Sequence, residues 1–147
     1  SVMGASQELT GQQLEKFLDQ VYLYNVVSLA HLLTEKEFKL STAGEKEVNG
    51  KKTATVKVER NQKQAITLFF DKETGLLAKA ELKAKDELQG WKEVLNEVYF
   101  EDYKDVGGHK LYTKMRLIQD GKPKLVDTMS DFTTPEKLDP KLFEPLK

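Results

Sequence analysis

A chain of 147 residues is long enough to bury a core without disulfide or metal staples, and this one has no cysteine to make either from thiolates. Lys and Arg total 23 against 24 Asp and Glu, and the only arginines are Arg60 and Arg116. A nearly neutral chain so poor in guanidinium forks lacks the field and the bidentate donors that read phosphate, which argues against nucleic acid as a partner. Thiol nucleophiles are excluded, and no stretch reaches the roughly 18 apolar residues that a membrane-spanning helix needs.

Thr10 to Gln13 has the spacing of a capping box, with Leu9 before it and Leu14 after it able to form a hydrophobic staple. Leu14, Phe17, Leu18 and Val21 then recur at i, i+3, i+4 and i+7, predicting a helix with one apolar stripe facing the core. From Tyr22 to Leu33 apolar residues occupy most of the circumference. They predict a second, largely buried helix, broken from the first near Asn25 and ended by Thr34-Glu35-Lys36.

The period then drops to two. Phe38 to Ser41 alternates, and Asn49-Gly50 is a strong hairpin signal leading into Ala54, Val56 and Val58. Asn61-Gln62 turns into a strand holding Ile66, Leu68 and Phe70 on one face. Asp71 to Gly75 forms the next turn, its glycine free to take a positive φ. Leu76, Ala78, Ala80, Leu82 and Ala84 alternate with Lys79, Glu81, Lys83 and Lys85, the pattern of a strand with one buried and one wet face. A loop at Asp86 to Gly90 precedes a long strand from Trp91 to Tyr103. A turn at Asp105 to Gly108 leads into a return over Leu111 to Gln119, a turn at Asp120-Gly121, and a last strand over Lys124 to Phe132. The tail holds Pro135, Pro140 and Pro145 and is expected to be loop with a short helical turn around Asp139 to Phe143. About seven strands in sequential hairpins, with no crossover helix, make this one α+β domain over residues 1–147: a β-meander packed on one or two N-terminal helices.

No residue set resembles a catalytic centre, so the chain is read as non-enzymatic and cofactor-free. His31 is expected at the core edge and His109 exposed beside a glycine turn, with no spacing that would gather a metal. Glu97 and Glu101 lie on one strand roughly 13 Å apart, too far for paired carboxylate chemistry, while Asp102 and Asp105 suit backbone bonding at a turn. No nucleophile elbow, phosphate loop or dinucleotide fingerprint occurs. The remaining feature is the apolar sheet face: Ile66, Leu68, Phe70, Leu76, Leu82, Val98, Phe100, Met115 and Leu117, with Met129 beside them. Two readings of it stay open, a face covered by the protein's own helices and a face holding an apolar ligand.

Three segments carry a family resemblance. Phe70-Asp71-Lys72-Glu73-Thr74-Gly75-Leu76-Leu77 resembles the hairpin of LolA-like proteins, the periplasmic lipoprotein-carrier superfamily. Tyr103 to Leu111 is similar to that family's next hairpin, and Leu138 to Pro145 to its closing segment. With Gln7 to Thr10 and the following helix, the chain most resembles the LolA-like type found in planctomycetes. The resemblance implies a half-barrel, a curved antiparallel sheet whose concave side holds a lipid or lipoprotein acyl chain, and an exported, extracytoplasmic protein. Tyr112 stands where the family usually has proline, and neither arginine falls in a matching motif, so the carriers' ligand-handling arginine is not carried over. The resemblance implies further strands and a helix ahead of the segment matching Ser1 to Leu9, and Ser1 to Gly4 reads like the end of such a strand, so the chain is expected to be the C-terminal portion of a longer protein or half of a two-piece fold. An open sheet edge would then favour pairing into a homodimer.

Overall fold

The computed structural model of the chain describes residues 8–132, 137, 139 and 140. One helix, α1 (Gly11–Val27), precedes β1 (Phe38–Val48), β2 (Lys51–Arg60), β3 (Ile66–Asp71), β4 (Leu77–Asp86), β5 (Lys92–Glu101), β6 (Lys104–Val106), β7 (His109–Leu111), β8 (Lys114–Gln119) and β9 (Lys122–Thr128). A seven-stranded antiparallel sheet runs β1-β2-β3-β4-β5-β8-β9, and β6-β7 form a separate two-stranded ribbon. The α+β class and the sequential antiparallel order agree with the hydrophobic pattern. The expected helical turn near Asp139 falls largely outside the described residues.

The turns follow from local chemistry. Asn49 (φ +50°) and Gly50 (φ +79°) are both left-handed, as a twist-matched two-residue hairpin requires. Between β3 and β4 the Asp71 carboxylate accepts from the Glu73 and Thr74 N–H groups at 2.8 and 3.1 Å, and Gly75 closes the loop at φ +71°. The Asp105 carboxylate accepts from Gly108 N–H at 2.9 Å, the turn role expected of it.

Four expectations are corrected. The second helix over Tyr22 to Leu33 does not form, and α1 runs unbroken past Asn25. The Ser28 hydroxyl donates to Asn25 O at 2.8 Å, a local bond that competes with helix continuation, and Leu29 ends the helix at φ +63°. Turns follow as far as Glu37, leaving Leu33 89% exposed and His31 out of the core, its Nδ1 3.3 Å from Glu35 Oε1. The capping box is also absent. Thr10 is extended but makes no side-chain cap bond, because Gly11 enters the helix at φ +54° rather than in the right-handed geometry the box needs.

The third correction concerns which face of α1 is buried. Tyr22 and Val26 enter the core, with Leu23 and Val27 half-buried beside them, whereas Leu14, Phe17, Leu18 and Val21 are 39–48% exposed. The periodic stripe points outward. Last, a bulge between Phe69 and Phe70 sets Phe70 opposite Leu77, so Leu77 enters the core and Leu76 stays half-buried ahead of the strand.

The buried cluster joins Tyr22, Val26, Leu32 and Phe38 to Val58, Ile66, Leu68, Leu77, Ala80, Leu82, Val98 and Phe100. Both sheet edges are blunted. Charged Lys39, Glu45, Lys46 and Glu47 and a bulge after Thr42 mark β1, and Lys122-Pro123-Lys124 opens β9.

Urea unfolding separates the two faces of α1. Val26→Ala removes methyls from a fully buried site and should cost about 2 kcal/mol. Leu14→Ala on the outward stripe should stay within about 0.5 kcal/mol at low protein concentration. The reverse order would place the periodic stripe in the core.

Candidate functional site

The helix-facing side of the sheet is closed in its middle and open toward both ends of β4. Ile66 and Leu68 are fully buried, and Val98 is 5% exposed. These three expected ligand-face residues lie within the cluster that α1 helps to close, with Phe70 and Met115 half-buried at its margin.

At the margin of that cluster, a groove of about 300 Å³ lies between α1 and the ends of β4, β5 and β8. Its apolar lining is Leu23, Leu82, Ala84 and Leu117, with half-buried Trp91 at the side. Gln12, Glu15, Lys16, Asp19 and Gln20 of α1 form the opposite wall, since the apolar stripe of that helix is turned away. Most of the rim charge is paired: Lys16 with Glu87 at 3.1 Å, Asp19 with Lys63 at 2.8 Å, Lys83 with Glu93 at 2.8 Å.

A polar relay borders the groove. Gln89 Nε2 donates to Asp86 Oδ2 at 2.9 Å and to Gln119 Oε1 at 3.2 Å, and Gln119 Nε2 donates to Asn96 Oδ1 at 3.2 Å. The Gln89 bond, followed by the Leu88 N–H, outweighs burial and holds the Asp86 carboxyl below its usual range. An apolar floor bordered by amides accommodates a molecule with an apolar body and a polar end. Asn96, Gln119 and Trp91 were not singled out in the sequence. Their only signal is amide or aromatic identity at positions where the strand alternation breaks down.

A second groove of about 310 Å³ lies at the other end of β4, lined by Val48, Leu76, Leu77, Phe100 and Tyr103 with Lys51 and Asp71. Tyr103 donates its hydroxyl to Leu77 O at 2.8 Å, and burial, aided by Tyr112, pushes its phenol up to about 12. The expected ligand-face residues are therefore divided. Leu82 and Leu117 line the first groove and Leu76 and Phe100 the second, Leu82 and Phe100 being at the same time members of the closed cluster, and the others lie in or beside that cluster.

The opposite face of the sheet carries one transverse row in register: Thr55, Phe69, Lys79, Tyr99, Arg116 and Val126. Lys79 Nζ stands 5.1 Å from the Phe69 ring centre and 5.2 Å from that of Tyr99, and Arg116 Cζ stands 4.9 Å from the same Tyr99 ring centre. The alternation placed Lys79 on a wet face, yet it is only 7% exposed. Aromatic rings on neighbouring strands shield its stem, and Glu81 and Glu97 accept from its ammonium at 2.6 and 2.5 Å. Burial is the largest single influence and pulls the ammonium down. The two carboxylates together outweigh it and hold Lys79 above the ordinary lysine range.

Glu101, four residues beyond Glu97 on β5, accepts a fork of bonds from Arg116 at 2.6–3.1 Å, with Lys114 at 3.3 Å. Arg116 is the first cause of its lowered pKa, against the opposing effect of burial. Among the described residues, no group of three or more His, Asp or Glu could hold a metal ion.

Two outcomes are expected from this row. Lys79→Ala leaves two carboxylates facing aromatic rings and should cost about 3 kcal/mol, while Lys83→Ala on the same strand should leave the urea midpoint close to unchanged. The depressed Glu101 pKa adds stability above the usual carboxylate value of about 4.3 and loses it as pH falls through the lower folded value. Glu101→Gln should therefore be less stable at neutral pH and show a smaller fall in stability than the parent between about pH 7 and pH 3.

Comparison of the chain with protein-family models, with curated proteins and with solved structures finds no match.

Proposed function

We propose that this protein is a non-enzymatic binding protein for an amphiphile, a lipid or a lipoprotein acyl chain, taken up in the groove between α1 and the ends of β4, β5 and β8. The observation that carries the reading is an apolar floor of Leu82, Ala84 and Leu117 bordered by the Asp86–Gln89–Gln119–Asn96 relay. An acyl chain would lie on the floor and shed its ordered water, while the polar end meets amides. At about 300 Å³ the groove is at the small end of ligand sites, so a long chain engages in part or displaces α1. The resemblance to LolA-like carriers points to the same ligand class, and the half-barrel curvature and extracytoplasmic location that it implies belong to the same proposal. No helix among the described residues is long and apolar enough to cross a membrane.

A second reading is an interaction module whose sheet face is filled from within. It draws on Ile66 and Leu68, which are fully buried in a cluster that includes Tyr22 and Val26.

Titration of delipidated protein with a fluorescent fatty acid distinguishes the two. The carrier reading expects saturable binding, weakened at least about tenfold by Leu117→Glu and by the groove-filling Ala84→Phe. Leu76→Glu in the second groove should leave it unaltered. Absence of saturable binding, together with native mass spectra showing no retained lipid, would leave the filled-face reading in its place.

A further inference from the structure

The outward stripe of α1 has a pattern that the groove does not use. Leu14, Phe17, Val21 and Tyr24 fall at successive a and d positions of a heptad, and Leu18 adds an e position. They are 39–60% exposed, on a helix whose charged residues Glu15, Lys16 and Asp19 line the opposite, groove-facing wall.

We infer that this stripe is the seam of a homodimer, in which the α1 helices of two copies of this chain pack against each other about a two-fold axis. A two-fold interface sets the same patch against itself, so any charge beside the seam would meet its like. The flanking residues Gln13, Gln20 and Asn25 are all uncharged. Lys16 is paired with Glu87 and Asp19 with Lys63, and Glu15 stands on the groove-facing wall, away from the seam. The seam is thus apolar in the middle, neutral at the rim and self-complementary. An anionic membrane surface fits less well, because such a helix would carry lysine and arginine on its polar face, and α1 has Lys16 alone.

The sheet edges offer a competing route that the structure disfavours. Lys39, Glu45, Lys46 and Glu47 with a bulge mark β1, and Pro123 between two lysines marks β9. Seam side chains about half exposed supply on the order of 500 Å² per copy, scaled from the roughly 150–250 Å² that a large side chain can bury. That is below the about 800 Å² of a standard interface, so the dimer should dissociate on dilution.

The test uses the full chain. Native mass spectrometry and light scattering from about 1 μM to about 500 μM should show monomer passing to dimer. Phe17→Glu with Val21→Glu should abolish the dimer while far-UV circular dichroism stays unchanged, since neither residue is in the buried cluster. Because the chain has no cysteine, Val21→Cys supplies a single thiol. A short bis-maleimide should link it between copies, and should leave Lys39→Cys and Lys124→Cys on the two edges unlinked. Three results would overturn the proposal: monomer at every concentration, which would be the outcome if another segment of the chain covers the stripe; a dimer that survives the double glutamate variant; or linkage at an edge position in place of Val21→Cys.

Discussion

The docking of Tyr22 and Val26 into the cluster of Ile66, Leu68 and Leu82 sets the rest of the molecule. A helix can present only one side to a sheet, and here that side is a narrow one near the C-terminal end of α1. Once it is engaged, the helix rotation follows. Gln12, Glu15, Lys16, Asp19 and Gln20 become the wall of a groove, and Leu14, Phe17, Leu18 and Val21 turn to solvent. Both functional inferences, a polar-walled groove on an apolar floor and an outward seam, are consequences of that single contact.

The two faces of the sheet are stabilised by different physics. On the helix side, apolar area leaves water beneath Tyr22, Val26, Leu32 and Phe38. On the other side Phe69, Lys79, Tyr99 and Arg116 stack across adjacent strands, with Glu81, Glu97 and Glu101 satisfying the cations. That arrangement explains why carboxylates prominent in the sequence have structural partners. It also leaves the ends of β4 as the places where the helix-facing side opens into grooves.

Much of the fold was legible because turn chemistry is local. Asn49-Gly50, Asp71 to Gly75 and Asp105 to Gly108 each turn as their residues require. What was not legible is relational. The periodicity of α1 identifies a helix but not the side that docks, and its clearer stripe is the outward one. A bulge at Phe69/Phe70 moves burial from Leu76 to Leu77 without altering composition. The Ser28 and Leu29 helix stop lies inside an apolar run that counting alone extends to Leu33. The candidate groove was half legible: Leu82 and Leu117 were on the expected face. The polar relay was missed, because Asn96, Gln89 and Gln119 meet only once β5, β8 and the short 3-10 turn at Glu87–Gln89 are brought together.

Groove and seam both depend on the rotation of α1. Methyl-resolved nuclear Overhauser spectroscopy on dilute protein tests it most directly. Cross-peaks are expected from the Val26 methyls to the Ile66, Leu68 and Leu82 methyls, with none from Leu14 or Leu18 to that group. Cross-peaks from Leu14 and Leu18 into the cluster, with Val26 silent, would contradict that rotation.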